Sequence, residues 1–161
     1  MMLRIFLIFL SSIFAFSFSA FGQTAEEANN ILSNFGIAFS ADELAAAAEA
    51  DDLRAVDLIL AAGMDPNAVD PGEAPAIVEA AEAGNTLVVE TLLEHGADPN
   101  FVDPTNGKSA LFYAVEYEHP ETAWALLAGG ADPNRRGPDG VVPLMLAAEN
   151  GNPKLTWFLL Q

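Results

Sequence analysis

Glu49, Glu82, Glu116 and Glu149 recur at intervals of 33, 34 and 33 residues. Carboxylates spaced this far apart do not make an acid–base pair, which needs two groups converging in a shaped pocket. They make a row, and a row of like charges is relieved best by an opposite row on a partner. The same positions also read as ordinary solvated helix positions, because glutamate is a good helix former. Other chemistry is poorly supplied. His95 and His119 fall at a helix end and a turn, with no nucleophile at a partnering position. The chain has no cysteine, which removes thiol nucleophiles, disulfides and Cys-based zinc sites. "DPNRRG" from Asp132 begins like a calcium loop, but Arg136 stands at its fifth position and Pro143 at its twelfth, and neither supplies a carboxylate. No catalytic, cofactor-binding or metal-binding residue is expected.

The charge balance points the same way. Six Lys and Arg against 23 Asp and Glu leave a net charge of −17. Contact with a phosphate backbone needs clustered cations, so a nucleic-acid partner is not expected. The chain of 161 residues is long enough for one domain with a real core. It opens "MMLRIFLIFLSSIFAFSFSAFGQTAEE", with one cation, Arg4, then an uncharged apolar and Ser-rich run, then small residues before Gln23. That order reads as a secretory signal peptide over 1–22, with Ala20 and Gly22 as the small side chains before the cut. Secreted or periplasmic protein is the expectation, with no stable membrane association after cleavage. The uncharged run from Ile5 to Phe21 also approaches the length of a spanning helix, which keeps an uncleaved membrane anchor as the alternative.

The row of glutamates needs elements that repeat with it. Asp65, Asp98 and Asp132 each open an Asp-Pro-Asn turn at the same period, and Ala47, Ala80, Ala114 and Ala147 follow it in a further column. Each period holds a short helix such as "IVEAAEAG", a second helix such as "TLVVETLLEHG", the "ADPN" turn, and a hairpin-like loop rich in Pro, Gly and Asp. Neither helix can bury its apolar stripe alone, and stacking like units gives every stripe a neighbour. The expected architecture is an all-α repeat solenoid over 41–161, with units at 41–70, 71–103, 104–137 and 138–161, the last incomplete. A flanking segment over 23–40 contains Ile31, Leu32 and Phe35 at helical spacing, suited to covering the first unit. "FSADEL" supplies Ser40 as a helix cap with Glu43 three residues on. Leu92 and Leu126 are expected inside, Glu90 outside.

"AAEAGNTLVVETLLEHGADPN" (80–100) and "VPLMLAAENGNPKLTWFLL" (142–160) resemble ankyrin repeats nearly position by position. The resemblance implies a protein-binding, non-enzymatic module whose first helices line a concave surface and whose hairpin tips contact partners. There are departures. No unit keeps the family's Thr-Pro-Leu-His start, so the helix starts are expected to rest more on apolar packing and loop geometry. Unit three puts Glu118 where Gly84 and Gly151 stand, and inserts a residue in "DPTNGKS". Candidate partner-binding residues are Glu82, Glu116 and Glu149 with Glu49, the loop residues Phe101, Arg135 and Arg136, and Tyr113 and Tyr117 on the adjacent helix, since aromatics and arginine are the usual anchors; the plainer alternative is that Phe101 packs on its neighbouring hairpin and that Arg135 and Arg136 neutralise nearby acids. Trp124 and Trp157 share a second-helix column with Asp57 and Glu90, which marks a second candidate surface; rings that cover each other are the plainer alternative. The functional expectation is an adaptor or assembly factor for a protein partner with a basic surface, the alternative an inhibitor or immunity-type protein that neutralises a basic secreted enzyme. Cleavage removes Arg4 and takes the net charge from −17 to −18. N-terminal sequencing of exported material is expected to begin at or near Gln23, whereas Met1 retained in a membrane fraction would establish the anchor.

Overall fold

The computed structural model describes residues 25–161, so the expected signal peptide lies outside the described residues. Nine α-helices follow one another among the described residues: α1 (Ala25–Phe35), α2 (Ala41–Glu49), α3 (Leu53–Ala61), α4 (Ala76–Ala83), α5 (Thr86–Glu94), α6 (Ala110–Glu116), α7 (Pro120–Ala128), α8 (Pro143–Glu149) and α9 (Pro153–Leu159). Their starts are set locally. The side chains of Ser40, Asp52, Ser109 and Asn152 accept from the backbone amides of Glu43, Ala55, Phe112 and Leu155 at 3.1–3.2 Å, satisfying donors that a helix N-terminus leaves open. Proline opens α7, α8 and α9, where its missing N–H costs nothing. The Ser109 cap corrects the expectation for unit three, which has a side-chain cap; α4 and α8, after Pro75 and Val142, have none.

The helices form two layers. The first helices α2, α4, α6 and α8 stack in order, the second helices α3, α5, α7 and α9 stack behind them, and α1 packs on α3 as the flanking cover. The core lies between the layers. Ile59, Leu92, Leu126 and Leu159 occupy one second-helix column and are all buried, as Leu44, Ile77, Leu111 and Leu155 are elsewhere. Leu92 and Leu126 are inside and Glu90 is exposed, as their spacing predicts.

Within a unit, the turn between helices needs one left-handed residue. Gly84 and Gly151 supply it at φ 79° and 64°, but Asp51 and Glu118 stand in the same column at φ 56° and 60°, where a side chain is strained. Between units, two sets of hydrogen bonds fix the register. Asn67 donates its amide to the Gly96 carbonyl at 3.1 Å and accepts from the Asp98 amide at 2.7 Å. Asn100 repeats both bonds with Gly130 and Asp132 at 3.1 and 2.7 Å. The aspartate of each turn accepts from the asparagine amide two residues on, at 2.8–2.9 Å, the local turn that makes the asparagine available. The loops themselves hold little regular structure among the described residues: one antiparallel bridge between Val102 and Ser109, and a 3₁₀ turn at Pro138–Gly140.

Leu92→Ala or Leu126→Ala is expected to cost roughly 2–5 kcal/mol by leaving a cavity, and Glu90→Ala under about 0.5 kcal/mol. Glu118→Gly is expected to stabilise by about 0.5–1 kcal/mol, because relief of the left-handed strain exceeds the entropy that glycine adds to the unfolded chain. Denaturant melts check all of these; a destabilising Glu118→Gly would show that the side chain contributes more than its backbone strain costs.

Candidate functional site

The glutamate column lies at the C-terminal ends of the first helices, and the following unit holds its backbone in place. The Asn85 amide donates to the carbonyls of Ala48 and Glu49 at 2.8 and 2.9 Å. His119 Nε2 is 3.1 Å from the Glu82 carbonyl, which places the ring proton on that nitrogen. These carbonyls are among the last of their helices and would otherwise lack partners. His119 lies so close to the preceding turn that a Cβ on Gly84 would come within 2.7 Å of its ring, so Gly84 is required by contact as well as by its φ. Glu49 and Glu149 are exposed; Glu82 and Glu116 are half-buried.

Around Glu82 and Glu116 the charges interact. Glu79, one turn before Glu82, titrates above its ordinary value because burial disfavours its charge and Glu49, Glu82, Asp103 and Glu73 repel it. The Tyr117 phenol is also pushed up, chiefly by the Glu82 carboxylate. Tyr117 is half exposed and stacks on Tyr113, with centroids 6.3 Å apart and planes within 7°. The result is one acidic, aromatic-lined face across units one to three.

The inserted loop of unit three folds onto this face through Asp103, which is buried. Its Oδ1 accepts from the amide and hydroxyl of Thr105 at 2.7 and 2.6 Å, and its Oδ2 from Asn106 Nδ2 at 2.6 Å and the Tyr113 hydroxyl at 2.8 Å. Burial works to raise the Asp103 pKa, but these donors together outweigh it and hold the carboxyl below its ordinary value. Tyr113 moves the other way: burial first, then the bond to Asp103, push it up to about 12. Its neutral form therefore contributes stability present below its ordinary value of 10.0 and lost as pH rises toward about 12. The loop then delivers Lys108, whose Nζ lies 2.6 Å from Glu116 Oε2 and 5.5 and 5.0 Å from the ring centres of Phe112 and Tyr113.

Several candidate residues are placed differently from the sequence expectation. Tyr113 is buried and serves the loop instead of facing a partner, because its hydroxyl completes the Asp103 shell. Phe101 is half-buried and packs against the core, so it is not a free hairpin anchor. Arg135 and Arg136 are exposed, and Arg136 donates to its own loop at the Gly140 carbonyl, 2.8 Å away. Tyr117 is exposed as expected. Trp124 and Trp157 are exposed on the second-helix layer, and they do not cover each other: each packs on Phe158, at 5.0 and 5.4 Å. Glu79, Asp103 and Lys108 went unnoticed in the sequence. The signal for Asp103 and Lys108 was the one-residue insertion between them; Glu79 had none, since it shares its column with Ala46, Tyr113 and Leu146.

Among the described residues no group of three or more His, Asp or Glu side chains is arranged to hold a metal ion. A family model described as ankyrin repeats (3 copies) matches residues 44–137, more than half of the chain. The fourth helix pair, α8 and α9, continues the same two layers beyond that match. No curated protein matches the chain.

The raised pKa of Glu79 has a definite sign. Its contribution to folding is favourable below the ordinary glutamate value and is lost as pH rises through the raised folded value, so at neutral pH its charge costs stability. Glu79→Gln is expected to raise the melting temperature near pH 7, with the advantage shrinking toward about pH 3, where both side chains are neutral. Melting curves across pH check this; an equal or lower melting temperature at neutral pH would refute it.

Proposed function

Since the chain belongs to the ankyrin-repeat family, whose repeats serve generally as protein–protein interaction modules, we propose that it is an exported adaptor or assembly factor that binds a partner with a basic surface. The observation that carries the reading is the convergence of Glu49, Glu79 and Glu82 with half-exposed Tyr117 and half-buried Glu116 on the first-helix layer. Carboxylates kept in mutual repulsion weaken the free protein, and a cationic partner relieves them. Tyr117 offers a flat apolar surface beside the charge, the combination that interface anchors use. Export is supported by the Arg4, apolar-run and small-residue order of the first 22 residues. Among the described residues no helix is long and apolar enough to cross a membrane.

An inhibitor or immunity-type protein for a basic secreted enzyme would use the same face, and the net charge of −17 favours it equally. An adaptor binds several partners with modest affinity, whereas an inhibitor binds one very tightly, so titration of partners captured from the exported compartment separates the two.

The recognition face is tested by surface-plasmon kinetics at low and high salt. Glu82→Lys with Glu116→Lys is expected to slow association strongly and to flatten its salt dependence, because the field that steers encounter is screened over about 8 Å at physiological ionic strength. Tyr117→Ala is expected mainly to speed dissociation. An on-rate indifferent to both salt and the double substitution would remove the acidic face from recognition and direct attention to the Trp124 and Trp157 surface.

A further inference from the structure

The acidic face already holds a cation. Lys108 comes from the loop that carries the extra residue of unit three, and its ammonium sits between the Glu116 carboxylate and the rings of Phe112 and Tyr113. Its side chain is only 21% exposed, and that of Glu116 33%. The seat is built rather than accidental: Asp103 fixes the loop through four side-chain and backbone donors, and Asn106 accepts from the Lys108 amide at 2.9 Å while donating to the Tyr113 hydroxyl at 2.8 Å. Beside the seat, Tyr117 stacks on Tyr113 and is half exposed, and Glu82 acts on its phenol. Carboxylate, stacked rings and a neighbouring acid are what a guanidinium or ammonium group needs in a recognition pocket.

We propose that Lys108 is a tethered competitor: it occupies at Glu116 the place taken by an Arg or Lys side chain of an extended basic partner segment, which must displace it to dock. The spacing of the face suits such a segment. Packed helices lie about 8–10 Å apart, and a segment in the extended polyproline II conformation has three residues per turn and advances about 3.1 Å per residue, so basic side chains at every third position share one side and meet successive units. Exchange of one cation for another leaves Glu116 paired throughout, which lowers the cost of keeping it half-buried when no partner is bound. Arginine outcompetes lysine at the seat because its planar fork binds a carboxylate through two hydrogen bonds and lies flat against a ring. The loop thereby selects against weakly basic partners.

This inference rests on the basic-partner reading, and the test separates the two. A short fluorescent peptide with arginine at every third position is titrated by anisotropy into the wild-type protein, Lys108→Met, Lys154→Met, Glu116→Gln and the Glu116→Gln, Lys108→Met double variant. Lys154 pairs with Glu121 on the second-helix layer, so Lys154→Met makes the same change in net charge away from the face. Lys108→Met is expected to tighten binding about twofold to fivefold, the range of a lost competing ion pair, and Lys154→Met by less than about twofold because salt screens distant charges. In the Glu116→Gln background the gain from Lys108→Met is expected to fall to that of Lys154→Met, since a double-mutant cycle isolates the shared seat. Salt-dependent wild-type binding with equal gains from Lys108→Met and Lys154→Met would overturn the competitor role and leave the acidic face standing. No binding by any variant, with circular dichroism showing all folded, would overturn both.

Discussion

The asparagines of the first two Asp-Pro-Asn turns, Asn67 and Asn100, each make a two-way bond to the next unit, donating to a glycine carbonyl and accepting from an aspartate amide, with the same pair of distances, 3.1 and 2.7 Å. A helix pair on its own exposes one apolar flank, so the stack depends on each unit meeting the next in a single register. Apolar packing is tolerant of small slides; a side-chain amide with both its donor and its acceptor committed is not. Because that bond recurs at the period of the sequence, every column is carried into space in line. The glutamates of the first helices become neighbours for this reason, and Asn85 and His119 then hold the carbonyls beneath Glu49 and Glu82 from the adjacent unit. Register and acidic face follow from one constraint.

Much of this was legible in the sequence because it is periodic. The helix pairs, the buried Leu92 and Leu126, the Ser40 cap and the α1 cover all follow from residues that recur or from local capping chemistry. What was hidden is what breaks the period. Tyr113 looked like an anchor because tyrosines often are, yet its burial depends on Asp103 ten residues earlier, through a loop with a residue its counterparts lack. Phe101 likewise turns inward. The tryptophan column was correctly placed outside, but the ring between them, Phe158, belongs to the adjacent position of the last helix, and no column marks it. Pattern fixes which side of an element a residue occupies; it does not say which side chain from another unit will fill the space beside it.

Unit three concentrates the irregularities: Glu118 in a left-handed turn, the longer loop, the buried Asp103 and the seated Lys108. Deviations that cost stability and are held in place by many bonds tend to cluster where a protein does its work. Here four donors converge on one carboxylate to position a loop whose outward product is a single lysine on the acidic face. A loop serving only to join two helices needs no such fixation, and its counterpart in unit four manages with a 3₁₀ turn.

Charge is arranged differently on the two layers. On the second-helix layer Lys154 and Glu121 pair across units with both side chains more than half exposed, an arrangement that contributes little and costs little. Asp57, on that layer, is raised mainly by burial, with His95 working to lower it. On the first-helix layer Glu79, Glu82 and Glu116 are partly withdrawn from water, and Glu79 is raised by burial and by four carboxylates. Solubility is served as well by exposed acids dispersed over both layers, at no such penalty. Positive charge placed against this layer relieves that repulsion.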